Sequence, residues 1–113
     1  MIYSNLTAQE RKAIRKKEET NLKRACTFLL KNYGGFSFPV PSGFGSGISG
    51  APDRICFYQG RTVCVEFKLD GQNLSPAQLE MKANIEATGN LYALVRNEGD
   101  FIEAMGLPVR KLF

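Results

Sequence analysis

Asp53, Glu66 and Lys68 stand within residues 50–68, GAPDRICFYQGRTVCVEFK, at a spacing that suits metal-assisted chemistry. Two short apolar runs in this stretch are separated by Gln59-Gly60. A two-residue loop ending in glycine fits a tight β-hairpin, because glycine tolerates the positive φ that such turns need. Tyr58 and Arg61 then flank the loop, Phe57 opposes Thr62, Ile55 opposes Cys64, and Asp53 opposes Glu66. Opposed residues share a sheet face, and Lys68, two positions past Glu66, shares it too. The register therefore gathers two carboxylates and one ammonium at one end of a hairpin. Close carboxylates repel unless a cation or a proton intervenes. A divalent metal with oxygen ligands is the simplest relief, and it leaves Lys68 close to where a reacting water would sit.

These residues resemble the PD-(D/E)-x-K nuclease superfamily, with Asp53 at the first acidic position, Glu66 at the second and Lys68 at the lysine. A wider set resembles its VRR-NUC (virus-type replication-repair nuclease) branch. The set is Gly50-Ala51-Pro52-Asp53, Val65-Glu66-Phe67-Lys68, Leu74-Ser75-Pro76-Ala77-Gln78, and Gly89 before an apolar strand, and the likeness extends over residues 18–105. The resemblance implies an α/β, restriction-endonuclease-like fold with a small mixed central sheet flanked by helices. It implies a metal-dependent endodeoxyribonuclease in which Asp53, Glu66 and the Phe67 backbone carbonyl hold Mg²⁺ or Mn²⁺. Lys68 would position the water and offset the charge that develops on phosphorus. Gln78 would lie near the active centre. One more acidic ligand is expected from the first helix, from Glu18 or Glu19, and counting back from Gly34-Gly35 favours Glu19. Stand-alone VRR-NUC proteins of viral type resemble homodimers acting on four-way (Holliday) junctions, which points to branched DNA as partner and to DNA repair. Simpler readings stand beside these. Ser75 and Gln78 form a capping box, and Glu19 can pair with Lys23 at i,i+4.

The elements that must position these residues follow in the order α, β-hairpin, α, β, α. Thr7-Ala8-Gln9-Glu10 is a capping box and starts a first helix, whose apolar stripe strengthens after Leu22 and which Gly34-Gly35 stops. Residues 36–41 suit an edge strand ended by proline. Residues 42–50, SGFGSGISG, hold four glycines and three serines and form a loop just before Asp53. Such a loop can let a DNA backbone approach closely. Residues 70–73, DGQN, form a turn. Ser75-Pro76 opens a second helix carrying Leu79, Ala83 and Ile85 or Glu86, which ends at Gly89. A strand follows over 91–95, then a short helix over 100–105 stopped by Gly106.

Composition narrows the function classes. A chain of 113 residues makes one domain, here a single nuclease-like unit over 1–113 with a basic helical extension over 1–17. No apolar run approaches a membrane span, and the charged start is unlike a signal peptide. There is no histidine, which removes Ser-His-Asp and Cys-His catalysis and His-rich zinc sites. Cys26, Cys56 and Cys64 lack metal or redox spacing and are expected to be buried thiols in a reducing compartment, such as a bacterial or phage-infected cytoplasm. Residues 1–31 carry 8 Lys/Arg against 3 Asp/Glu, a net of +5, whereas the remaining 82 carry 7 against 8. A basic segment of this kind suits a polyanion such as DNA; alternatively it is a solvated helix face. Arg54, Arg61 and Arg96 are expected to be solvated, and Tyr3, Tyr33, Phe36, Phe38 and Phe44 to pack in the core or in loops. Two other functions fit the same fold: a non-catalytic nucleic-acid-binding module, and a subunit whose first helix docks a replication protein.

Overall fold

A computed structural model describes residues 5–41 and 47–109. Helix α1 (Ala8–Asn32) starts at the expected capping box, where Thr7 Oγ1 accepts from Glu10 N and Glu10 Oε1 accepts from Thr7 N. It runs unbroken to Tyr33, and Gly34, at φ 86°, turns the chain away. The basic first half of α1 is largely exposed. Its second half buries Cys26 and Leu30, so the apolar stripe after Leu22 faces the core as expected.

Strands β1 (Phe36–Pro39), β2 (Arg54–Tyr58) and β3 (Arg61–Phe67) form an antiparallel meander. The β2–β3 loop has Gln59 at φ 47° and Gly60 at φ 75°, the paired positive values of a type I′ turn. The register is the expected one, with Phe57 opposite Thr62 and Ile55 opposite Cys64. Helix α2 (Pro76–Ala87) then carries the chain across to β4 (Leu91–Val95), which pairs with β3 in parallel. Parallel neighbours need such a crossover, because a tight turn can only reverse the chain. The sheet is therefore mixed, in the order β1-β2-β3-β4. Helix α3 (Glu98–Met105) closes the described chain and ends at Gly106, φ 68°.

Strand alternation divides the sheet into two unlike faces. Cys56, Val63, Val65, Phe67 and Val95 point to one face and pack with Cys26, Leu30, Phe101, Met105 and Leu107. The Phe67 and Phe101 rings stack at 6.3 Å. The other face carries Ile55, Phe57, Cys64 and Glu66, and α2 covers the part near β4. This unequal cover is what leaves Glu66 beside a cleft instead of inside the core.

Several expectations need adjusting. The first strand ends at Pro39, two residues early, and α3 starts two residues early because Asn97 caps it through Asp100 N. Cys26 and Cys56 are buried free thiols, but Cys64 is only half-buried. Burial pushes the Cys26 thiol up to about 12 and Cys56 to about 11, too high for reactive thiolates at neutral pH. Arg54 and Arg96 are half-buried clips and not solvated charges, Arg54 Nε and Nη2 donating to Ser37 Oγ and Arg96 Nη1 to Leu69 O, whereas Arg61 is exposed as expected while its Nε donates to Ala104 O. Tyr33 packs on the core, whereas Phe36 and Phe38 are exposed and cluster with Phe57. Tyr3 and Phe44, and most of the glycine-serine loop, lie outside the described residues. Among the described residues no helix is long and apolar enough to cross a membrane.

Candidate active site

Asp53 is placed by the turn before β2. Gly50 has φ 75°, and a Cβ there would collide with the Ala77 carbonyl. Glycine is thus required twice over, for the backbone angle and for close approach to the first turn of α2. Ala51 and Pro52 are buried after it. The ladder continues past β1, with Val40 N donating to Asp53 O at 2.9 Å. Asp53 Oδ2 accepts from Phe67 N at 2.8 Å, which ties the carboxylate to the end of β3.

Glu66 is 4% exposed, the one buried charged residue among those described. Its Oε2 accepts from Gln78 Nε2 at 3.2 Å and lies 4.0 Å from Lys68 Nζ. Its Oε1 is buried with no hydrogen-bond partner. Burial pushes the Glu66 carboxyl up to about 8, helped by the negative charge of Asp53 and a hydrogen bond with that side chain. Lys68 and Lys23 oppose the rise. A carboxyl in this state either keeps a proton at neutral pH or exchanges it for a cation.

Gln78 makes two sets of contacts, one to the start of α2 and one to Glu66. Its amide oxygen accepts from Ser75 N at 2.9 Å in the capping box, while its amide nitrogen reaches Glu66. Glu19 and Glu18 part company. Glu19 Oε1 lies 3.3 Å from Lys23 Nζ, and Lys23 Nζ lies 3.6 Å from Asp53 Oδ1. Glu19 thus reaches the carboxylate pair through a lysine, while Glu18 lines a separate hollow with Leu69 and Arg96. Among the described residues no three His, Cys, Asp or Glu side chains converge.

Lys23 is the site residue that sequence reasoning missed. Its i,i+4 spacing from Glu19 was visible, but its reach to Asp53 depends on how α1 crosses the end of β2. Tyr92, on β4, also escaped notice. Its hydroxyl is buried without a partner, and burial together with the charges of Glu66 and Asp53 raises its pKa. A cleft of about 500 Å³ opens over the pair, lined by Ile48, Ser49, Gly50, Asp53, Glu66 and Gln78 among others.

This arrangement of hairpin, crossover helix and parallel β4 is also seen elsewhere. A solved structure described as a VRR_NUC domain matches with a TM-score of 0.67 and 19% identity, covering 80% of this chain and 97% of that one. The chain has the VRR_NUC fold. The expected α/β architecture with a small mixed sheet is thereby found. No family model matches the chain, and no curated protein matches it.

The site fits a hard divalent cation by its own chemistry. Two carboxylates stand side by side, one of their oxygens is buried without a partner, and the described lining of the cleft over them contains no cysteine or histidine. Asp53 and Glu66 are the side chains able to hold such an ion.

Proposed function

We propose that this chain is a metal-dependent endodeoxyribonuclease. The observation that carries the reading is the buried, half-satisfied Glu66 carboxylate beside Asp53, with Lys68 at its edge. A buried carboxylate held beside a second, half-buried one destabilises a fold, and a site that uses it is the economical account. Asp53 and Glu66, with the Phe67 carbonyl, would hold Mg²⁺ or Mn²⁺. When bound, the ion would supply Lewis acidity toward a phosphodiester and toward water. Lys68 would orient the attacking water and offset the growing negative charge on the phosphate oxygens. Gln78 would keep Glu66 aimed into the cleft, and Glu19 would add negative charge through Lys23 or replace Lys23 at the metal.

The basic first half of α1, largely exposed, suits the phosphate backbone. Contacts to the backbone fix position without reading bases, so selection by DNA shape is the reading preferred to selection by sequence. Cutting two strands symmetrically needs two such sites, which a C₂ homodimer supplies. The finer reading is therefore a homodimer that nicks four-way junctions in pairs, in a reducing cytoplasm.

A panel of labelled duplex, flap, single-strand and four-way substrates with Mg²⁺ or Mn²⁺ tests both levels. Asp53→Ala, Glu66→Ala and Lys68→Ala should each abolish cutting while DNA binding persists, since these groups act on the transition state. Cutting in excess EDTA, or full activity in any of the three, removes the nuclease reading. A monomer by light scattering that prefers flaps removes the junction reading alone.

A further inference from the structure

Two buried side-chain atoms among the described residues lack a hydrogen-bond partner: Glu66 Oε1 and the Tyr92 hydroxyl. They belong to one place in the fold. In the parallel register of β3 and β4, Cys64 lies beside Tyr92 and Glu66 beside Leu94. Paired positions, and positions two apart on one strand, share a sheet face. Tyr92 and Glu66 are therefore diagonal neighbours, a separation that aromatic and long side chains can span. Helix α2 lies over both. Gln78 Nε2 donates to Glu66 Oε2 at 3.2 Å, and one turn on, Lys82 Nζ lies 6.0 Å from the centre of the Tyr92 ring.

The other polar groups of this layer are engaged. The Gln78 amide oxygen accepts from Ser75 N, and Lys82 Nζ lies 2.8 Å from Glu86 Oε1. What remains is one hydroxyl that can donate and one carboxylate oxygen that can accept. Burial, followed by the charges of Glu66 and Asp53, raises the Tyr92 hydroxyl above its ordinary value, so it keeps its proton. Phenylalanine would fill the same space without a buried, unpaired hydroxyl, which costs stability. The two atoms are not bonded directly, and a single buried water commonly joins such groups.

We propose that Tyr92 is a positioning residue of the candidate active site, its hydroxyl donating through one bridging water to Glu66 Oε1. Gln78 then holds one oxygen of Glu66 and Tyr92 the other, so the carboxylate stays turned toward Asp53. Each carboxylate oxygen can accept twice, and Oε1 keeps a lone pair for an ion. Outer hydrogen bonds of this kind fix the orientation of a carboxylate that holds a metal. Tyr92 acts through Glu66 and not on the substrate. The inference rests on the reading of Asp53 and Glu66 as the groups that hold the ion.

The test uses Tyr92→Phe, which removes the hydroxyl and keeps the ring. Calorimetry should show Mn²⁺ binding weakened about 10-fold, while the melting temperature in EDTA stays close to wild type. The chain has no tryptophan and four tyrosines, so near-ultraviolet difference spectroscopy reads chiefly tyrosine. Adding Mg²⁺ to the wild type should perturb that signal, and the change should vanish in Tyr92→Phe and in Glu66→Gln. Unchanged Mn²⁺ affinity in Tyr92→Phe overturns the proposal, and so does a Mg²⁺-induced signal that survives the substitution. A loss of affinity matched by a clear fall of the melting temperature in EDTA makes the hydroxyl's role structural and also overturns it. If the wild type cuts DNA with Mg²⁺ while Tyr92→Phe binds Mn²⁺ as tightly as wild type, the nuclease reading stands and the positioning role falls. If Mn²⁺ binding depends on Tyr92 in the expected way while no substrate is cut, the positioning role stands and the nuclease reading falls.

Discussion

Gln78 grips Glu66 with one end of its amide and the start of its own helix with the other. Nε2 donates to Glu66 Oε2 at 3.2 Å, and Oε1 accepts from Ser75 N at 2.9 Å. Both ends are specified: the carboxylate needs a donor and the backbone N–H needs an acceptor. The same residue thus ends the frayed turn of α2 and aims a buried acid. Gly50, pressed on the Ala77 carbonyl, holds this turn against the strand that carries Asp53.

The two roles of Gln78 separate by substitution. Gln78→Ala removes both contacts, and near pH 6 it should melt about 4 °C below wild type, the effect of losing ~1 kcal/mol in a domain this size. Gln78→Glu keeps the acceptor for Ser75 N but turns the donor into a second carboxylate facing Glu66. It should melt close to wild type near pH 6, where Glu66 holds its proton, and fall below it near pH 8. Thermal melts at the two pH values decide; equal behaviour of the two variants would show that the amide does not link cap and site.

Glu66 makes the metal-free fold sensitive to base. Its ordinary value is 4.5 and its folded value is about 8, so between these the folded state binds more protons than the unfolded one. Stability should therefore decline as pH rises from 4.5 through about 8. Asp53 sharpens the effect, and Lys68 and Lys23 moderate it. Glu66→Gln cannot ionise and should melt above wild type at pH 9 in EDTA, by about 4 °C or more. A wild-type protein whose melting temperature is flat across this range would contradict the burial of Glu66.

Metal uptake should release a proton at neutral pH, because Glu66 must lose its proton to coordinate. Calorimetry of Mg²⁺ or Mn²⁺ binding in two buffers of different ionisation enthalpy measures this. The release should disappear in Glu66→Gln. Proton-free binding by the wild type would place the ion elsewhere.

Lys23 and Glu19 should push metal affinity in opposite directions. Lys23→Met removes a positive charge 3.6 Å from Asp53 Oδ1 and should tighten Mn²⁺ binding several-fold, roughly the effect of ~1 kcal/mol that such a charge exerts at this distance when screened nearly as in water. Glu19→Gln should weaken it, and Glu18→Gln, on the far hollow, should leave it unchanged. Identical affinities in all three would mean that α1 contributes nothing to the site.

The sequence by itself determined the hairpin and much of the site. Gln59-Gly60 admits one tight turn, and strand alternation then fixes which side chains share a face, so Asp53, Glu66 and Lys68 were legible as a group. Ser75, Pro76 and Gln78 likewise announced the start of α2, because capping is a local interaction between residues three apart. What only the tertiary structure decided are the contacts between elements distant in the chain. Lys23 meets Asp53 across thirty positions, and Gly50 meets Ala77 because α2 folds back over the sheet. Phe36 and Phe38 looked like core residues by type, yet α2 covers only the β4 side of their sheet face. Local spacing fixes turns, caps and faces; which face is covered depends on where each helix docks, and no spacing along the chain encodes that.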